Sequence, residues 1–525
     1  MALLRLPDEL LVLICGPLDC RALLACKLVC QRIRAVIQDH PALQYTIELA
    51  ASGMRDGPST SLPVSNRLAM LMDHQAAWAN SAWVPLDPPL FSQPWSPDDS
   101  ILLHAASAGI VASRYDVPEP PQTINITQLP SVLRGVEKRS WTWTCEEDIH
   151  NLAVDGSQDL LVLLVNPLVG DMDLKRTIRA VSLSTGRPHP SVHDGSESTQ
   201  VAKEFSHLMV SGDVVLLTGS HVRSRKIGLW HWKTGEFCMA TPQTPPHARR
   251  YDFHPVPVYF LDEYHIALLA HCPESASMDV YDIRDCFRRP LASNDDTVDL
   301  HVKFRFMLPT PAPGNVITLI NFAPKLGPSP SRSSCEQGAF ITDSAAGSTC
   351  AIIFLLMTPT PSSPVMILWE LYFPTHKLLS FAKEYGRDAG TEVVLWEHWG
   401  PQLSYFVPAP RSIDLHTYGM TVARFDRDRS SITVLDFHER NSRRCRMPLT
   451  ANLSTLGGFP KTIESRPPFL VTAIDIPKNE VPSRVTLCED TLFVHLTRTG
   501  PTWWEEVRLF SLQPPASTPD ELVPA

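Results

Sequence analysis

The sequence predicts a multidomain chain of the α plus all-β class: a small N-terminal helical domain, a linker helix, and a β-propeller-like domain of about six or seven irregular blades. Three observations carry this. Helical periodicity runs from residue 4 to about 79 and is lost from about residue 100 onward. From there, short runs of alternating apolar residues end at Gly, Pro, Asn, Asp or Ser, as strands do. Finally, 525 residues would make roughly three ordinary domains at about 150 residues each, unless one repetitive fold absorbs most of the chain. A sandwich or a pair of β-domains is the competing arrangement for the second part.

The first twenty residues, MALLRLPDELLVLICGPLDC, admit two readings. Leu10 to Leu18 is an apolar run with Arg5 ahead of it, as in a secretory signal. Asp8 and Glu9 interrupt the basic approach such a signal needs, and no small-x-small cleavage site follows. The same residues suit a helix start. Pro7 fits the first helical position, where its missing N–H costs nothing, and the two carboxylates complement the positive end of the helix dipole. Gly16 and Pro17 then end the helix. Asp19 can cap a second helix, CRALLACKLV, whose Leu23, Leu24, Lys27 and Leu28 alternate an apolar with a polar stripe. In a third, Ile33, Val36 and Ile37 share a face until His40-Pro41 breaks the run, and a fourth ends near Gly53. Such a bundle buries too little surface to be secure alone, and its first helix is apolar nearly all round. Some of that surface needs cover.

The segment LPDELLVLICGPLDCRALLACKLVCQRIRAVI resembles the F-box: Leu6-Pro7 with Glu9-Leu10-Leu11, then Ile14, Leu18, Leu23, Cys26 and Val29-Cys30, followed by Arg32 and Arg34. Cys15-Gly16 stands where many members have a larger residue, and Ile33 where many have an aromatic. The resemblance implies docking on a Skp-family adaptor and, through it, on a cullin, as part of a cullin-RING ubiquitin ligase. It assigns the adaptor-binding role to Leu6, Pro7, Leu10, Leu11, Ile14, Leu18, Leu23, Val29, Cys30 and Arg32. The alternative is an F-box-containing protein that works outside a ligase, or a β-propeller scaffold or enzyme whose N-terminal helices are only a cap on the following domain. Cys26 and Cys30, with Cys15 and Cys20 nearby, are not spaced C-x-x-C and fall on apolar faces, so they read as buried thiols and no metal is expected.

A helix over about 65–79 follows, with Leu68, Leu71, Met72, Gln75 and Trp78 at helical spacing after Ser65, and a Pro-rich strip at 85–97 marks a boundary. The expected division is therefore 1–53 helical domain, 54–90 linker, 91–515 β-domain and 516–525 tail. Within the β-domain a repeated unit ends at Leu183, Trp232, Ile283, Leu371, Phe437 and Leu512. Its first separations, 49 and 51 residues, are near one four-stranded blade. Preceding pairs of strands turn at Ser211-Gly212-Asp213, Asp262-Glu263 and Glu489-Asp490. An earlier blade takes in SILLHAASAGIVASRYDV and QTINITQL, and WWEEVRLFSL should complete a blade begun near the start of the domain. Trp230, Trp232 and Trp369 read as packing between blades. With HQAAW ahead of it, LPSVLRG…W…DGSQDLLVLL resembles the C-terminal region of a large group of fungal F-box proteins, which by analogy is an irregular propeller. Proline-rich stretches such as LPTPAPG and MTPTPSSP read as surface loops, with 324–338 the best candidate for disorder.

Chemistry is sparse. No P-loop, H-E-x-x-H or G-x-S-x-G motif occurs, and His193-Asp194 and Glu397-His398 are adjacent pairs in expected loops without a nucleophile at known distance. No catalytic role and no cofactor are expected. A net charge of −10 and a pI near 6.0 argue against general nucleic-acid binding. Twelve irregularly spaced cysteines and no long apolar run point to a protein of cytoplasm or nucleus with free thiols and no membrane contact. The client is unspecified; basic groups at Arg223, Arg225, Lys226, Arg249, Arg250, Arg443, Arg444 and Arg446 are either its contacts or solvated loop charges.

Overall fold

The computed structural model describes residues 5–57, 62–80, 83–94, 101–107, 109–115, 121–166, 175–193, 195–219, 226–243, 258–272, 274–288, 297–323, 338–342, 348–358, 364–389, 393–408, 415–426, 431–438, 459, 470–476, 480–488, 490–498 and 504–513. The basic groups named above lie outside them, except Lys226, as do residues 324–337 and Asp194.

Four short helices open the chain. α1 (Asp8–Cys15) begins just after Pro7, with Asp8 and Glu9 in its first turn. The backbone N–H of Ala22 donates to Asp19 at 2.7 Å, which caps α2 (Cys20–Lys27). α3 (Gln31–Asp39) buries Ile33, Val36 and Ile37 and ends at His40 because Pro41 starts α4 (Pro41–Ala51). Gly53 then turns the chain with a φ of 63°. Cys15, Leu23, Ile33, Ile37, Leu43 and Ile47 make the bundle's core, with Val12, Leu18, Cys20, Cys26 and Cys30 packed against it. The four clustered cysteines are thus apolar filling. α5 (Val64–Asn80) follows, burying Leu71, His74, Gln75 and Ala77, while Met72 faces out.

From Trp83 onward the chain forms seven antiparallel blades. The first comprises strands Ile101–Ser107, Ile110–Tyr115, Gln122–Gln128 and Arg139–Cys145, the second Ile149–Asp155, Leu160–Val165, Lys175–Ser182 and Ser198–Ala202. The third (Phe205–Pro242) and fourth (Val258–Met307) each gain a short fifth strand, Thr297–Leu300 and Val393–Val394, added parallel at the rim. Blade five is built from Val316–Ala323, Thr349–Thr358, Val365–Pro374 and Tyr405–Pro408, and blade six from Leu415–Tyr418, Thr421–Asp426, Ser431–Asp436 and Leu470–Asp475. Blade seven takes Glu480–Cys488, Thr491–Arg498 and Trp504–Leu512 from the C-terminal side and its outer strand, Trp83–Pro94, from the N-terminal side. Pairing of Trp83 with Leu512 through Pro94 with Trp504 closes the ring.

One hydrogen bond marks the repeat in all seven blades. A backbone N–H at the end of the third strand, from the residue just past it or, in blade seven, from its last residue, donates to the carbonyl just before the second: Leu129 to Gly109, Leu183 to Asp159, Trp232 to Asp213, Ile283 to Tyr264, Thr375 to Ser348, Phe437 to Met420 and Leu512 to Asp490, at 2.8–3.1 Å in every blade. Five of the six sequence markers sit at this position. The exception is Leu371, four residues before Thr375, because its strand runs on to Pro374.

Three further features depart from the sequence reading. The propeller starts at Trp83, two residues ahead of the Pro-rich strip at 85–97, most of which is strand rather than boundary: as the outermost strand of its blade, Trp83–Pro94 can carry Pro85, Pro88 and Pro89 around a register shift between Leu86 and Phe91. Helical structure returns within blade five as α6 (Thr375–Ala389) and α7 (Trp396–Leu403), so Glu397 and His398 lie on a helix. Leu378, Leu379 and Ala382 are buried along one face of α6, a helical stripe short enough to pass for strand alternation. Last, Phe340–Thr342, from the connection between the first two strands of blade five, pairs antiparallel with Met54–Asp56 beside the helical bundle. Trp230, Trp232 and Trp369 are fully buried as expected, among blade cores. Among the described residues no helix is long and apolar enough to cross a membrane.

Candidate docking surface

The bundle is anchored on one side and bare on the other. On the anchored side Tyr45 and Phe340 are buried with Leu71 and Ala339, and Met54, Leu68 and Met70 pack around them. Tyr45 Oη donates to Asp56 at 2.8 Å, Arg67 pairs with the same carboxylate, and the Gly57 N–H donates to the Ala339 carbonyl at 3.2 Å. Burial and the neighbouring Asp56 push the Tyr45 phenol well above its ordinary range. A glycine at 57 is required there, since a Cβ would lie 2.0 Å from the Gly338 carbonyl oxygen.

α5 extends this anchorage onto the propeller. Ala77 packs with Leu133 of blade one and Leu512 of blade seven, and Trp78 meets Trp83 edge-on at 5.3 Å. His74 is buried beneath it, where Nε2 accepts from Trp78 Nε1 at 3.3 Å. Nearby, Ser131 and Arg134 both bond to Asp490, the guanidinium at 3.3 Å. Burial pushes the His74 imidazole down to about 4, helped by Arg134 and opposed by Asp490. Burial alone would raise Asp490, but Arg134, His74 and Ser131 hold it below the usual carboxylate range.

On the bare side stand large apolar side chains that the bundle does not use. Leu13, Leu28 and Val29 are 71%, 79% and 69% exposed, and Leu10, Ile14 and Leu24 lie near 45%. Of the residues assigned from the sequence, Leu10, Ile14 and Val29 belong to this face, and Pro7 and Arg32 are exposed beside it. Leu6, Leu18 and Cys30 are half-buried. Leu11 and Leu23, at 2% and 0% exposure, are core of the bundle and offer no surface to a partner. Leu13, Leu24 and Leu28 are the surface members that the sequence reading did not assign. For Leu13 a signal existed, since α1 is apolar on every side; Leu28 is distinguishable from Leu23 only once the helix phase is known.

Arg32 fixes the chain entering α1: Nη2 donates to the Leu6 carbonyl at 2.6 Å and to Asp8 Oδ1 at 2.8 Å. Arg34 Nε donates to the Lys27 carbonyl at 3.1 Å, bracing the Leu28–Val29 corner. Six outward aliphatics on a small bundle, held rigid at both edges by guanidinium groups, form a surface suited to desolvation against another protein rather than to chemistry. Among the described residues no group of three or more His, Cys, Asp or Glu side chains is placed to hold a metal ion.

Comparison with known proteins bears on the two parts unequally. Residues 3–49 match the F-box-like family model. No curated protein matches the chain. Solved structures similar to it include the polysaccharide lyase Uly1 (TM-score 0.37, 11% identity, covering 80% of this chain and 91% of that one). Others are the Nup133 β-propeller domain of Vanderwaltozyma polyspora (TM-score 0.34, 6% identity, 81% and 99%) and the yeast Nup82–Nup159–Nup116 nucleoporin complex (TM-score 0.33, 10% identity, 77% and 97%). At these scores the likenesses carry no functional argument. The chain joins an F-box-like domain at residues 3–49 to a seven-bladed β-propeller.

Proposed function

We propose that this protein is the non-catalytic substrate-recognition subunit of an SCF-type cullin-RING ubiquitin ligase in cytoplasm or nucleus. Its F-box-like bundle docks on a Skp-family adaptor, and its propeller presents a client. The exposed apolar face of α1 and α2 carries this reading: such side chains are normally the core of a bundle, and here Leu13, Leu28 and Val29 are left in water. Each contributes about 1.5–3 kcal/mol if fully buried by a partner. F-box domains bind Skp-family adaptors in general, and that generality, rather than a partner seen here, supports the adaptor's identity. The resemblance to fungal F-box proteins belongs to the same proposal.

The test is capture of recombinant Skp-family adaptor by the full chain. Replacing Leu28 and Val29 by aspartate should reduce binding at least tenfold, at unchanged melting temperature, because neither side chain supports the bundle. Unchanged capture by the double variant would remove the surface from the proposal. Failure of the wild-type chain to bind any Skp-family adaptor would remove the ligase.

A further inference from the structure

Residues 338–342 belong to the connection between the first two strands of blade five, yet they are seated on other parts of the molecule. On the propeller, the Ala339 N–H donates to the Arg134 carbonyl of blade one at 3.0 Å. Arg134 is in turn ion-paired with Asp490 of blade seven, so the segment rests on the seam between the first and last blades. On the bundle side, Phe340, Ile341 and Thr342 pair with Asp56, Arg55 and Met54. The Ala339 carbonyl accepts from the Gly57 N–H at 3.2 Å and lies 3.3 Å from Tyr45 Oη.

α4 carries these contacts toward the docking face. Tyr45 is buried with Ala339, Phe340 and Leu71. Leu43 and Ile47 lie one turn apart, roughly on the opposite side of the same helix, and pack in the bundle core with Cys15 of α1, Leu23 of α2, and Ile33 and Ile37 of α3. α5 braces α4 as well, through hydrogen bonds from Gln75 Nε2 to Ser52 at 2.6 Å and Glu48 at 3.1 Å, and α5 itself packs on Phe340 through Leu71 and His74. A bundle of four short helices buries too little surface to be secure alone. The fraction of chains with α1 and α2 in place therefore depends on how firmly α4 is held.

We propose that residues 338–342 are a strap that couples the closed propeller to the adaptor-docking face: seated on the seam of the ring, the strap holds α4 and with it the face of α1 and α2, and a partner bound to that face holds the strap. Affinity for such a partner scales with the fraction of chains in the competent form, and the coupling is reciprocal. The partner's identity rests on the receptor reading. The hold of the strap on the bundle is a property of the free chain and is measured without adaptor.

Two variants of the full chain test it. In Gly57→Ala the added methyl would lie 2.0 Å from the Gly338 carbonyl oxygen, so the strap must move although neither core loses a side chain. Phe340→Ala keeps the strap's backbone and removes its anchor. In the free protein, both should speed hydrogen exchange of α1 to α3 at least tenfold and leave the middle strands of the blades unchanged. Recombinant Skp-family adaptor should bind both variants at least tenfold more weakly than the wild type. Added at saturation to the wild type, it should slow exchange at Met54–Asp56 and Phe340–Thr342, which lie off the docking face. Wild-type exchange rates for α1 to α3 in Gly57→Ala would overturn the coupling whatever the adaptor does. So would equal adaptor affinity of both variants, or strap exchange indifferent to bound adaptor. Faster exchange in the variants, with no adaptor bound by the wild type, would sustain the strap and remove the receptor reading.

Discussion

The two parts of the molecule dispose of their aliphatic residues in opposite ways. In the propeller, Leu160 to Val165 is an uninterrupted run of six, every member buried, because a middle strand packs on both its faces against neighbouring blades. In the bundle, α1 carries a similar run from Leu10 to Ile14, and only Leu11 is buried. Apolar composition is therefore no guide to interior and exterior here. Closure is: a ring of blades supplies each strand with two neighbours, whereas four short helices cannot cover one another and leave a face over. The propeller is complete in itself, and the bundle is complete only on the side that α5 and the Phe340–Thr342 strand cover.

The difference is broken most severely by opening the ring. Trp504–Leu512 lies between Thr491–Arg498 and the closing strand, so a chain ending before Trp504 loses both pairings and exposes a long apolar edge. It should aggregate on purification, whereas a chain lacking only residues 514–525 should remain monomeric by size-exclusion chromatography. A monomeric long truncation with unaltered melting would show that closure does not set the propeller's stability.

A smaller effect is expected where the two parts meet. Phe340 is fully buried between Tyr45 and Leu71, and its ring meets His74 edge-on at 5.4 Å. Phe340→Ala should cost about 3–5 kcal/mol at this junction. The loss should fall on the bundle: hydrogen exchange of α4 and α5 should accelerate while the middle strands of the blades keep their protection. Uniform acceleration through both parts would mean that they unfold as one unit.

Acid should act more gently, on this junction through His74 and on blades six and seven through His416 and His495. His74 and His495 are held down to about 4 and His416 to about 3, in each case chiefly by burial. All three are neutral in the folded chain, and His416 Nδ1 accepts from the Leu487 N–H at 3.2 Å. An unfolded histidine titrates near 6.5, so between that pH and about 4 the unfolded chain binds more protons and stability falls as pH falls. His438 opposes this in part, since Asp436 raises it against the effect of burial. The net loss between pH 7 and 5 should be a few kcal/mol, read from denaturant melts at each pH. His74→Gln should flatten the slope.

What could be read in advance follows from how local each cause is. The limits of α1 to α4 were legible because Pro7, Asp19, Pro41 and Gly53 act on their own backbone. The hairpin turns at Ser211–Asp213 and Asp262–Glu263 were legible for the same reason. The outer strand of blade seven was not, because its prolines forbid a central strand and only a partner at the far end of the chain, Trp504–Leu512, makes it an edge. Nor was Phe340–Thr342, whose strand exists by virtue of Met54–Asp56. Within the docking surface the sequence supplied the region and the composition. It assigned Leu11 and Leu23 alongside Leu10 and Val29, since adjacent leucines differ only in the phase that packing imposes.

The smallest effect separates holding the bundle together from presenting its surface. Arg32 and Asp8 retain 42% and 64% side-chain exposure, so their ion pair is worth only about 0.2–1 kcal/mol. Arg32→Ala should accordingly lower the melting temperature by no more than a few degrees. The same guanidinium holds the Leu6 carbonyl, and with it the angle at which Leu6-Pro7 enters α1, beside the exposed Leu10 and Leu13. Losing that tether lets the entering segment fray, and the adaptor must then order it on binding, a cost paid in affinity. Adaptor binding should weaken several-fold, mainly through a faster off-rate, in a protein of nearly native stability. Arg32→Lys keeps the charge toward Asp8 but reaches both acceptors less well than a planar guanidinium, so it should fall between. If Arg32→Ala lowered stability by several kcal/mol with adaptor affinity intact, the residue would belong to the bundle's scaffold, and the bare face would begin at Leu10.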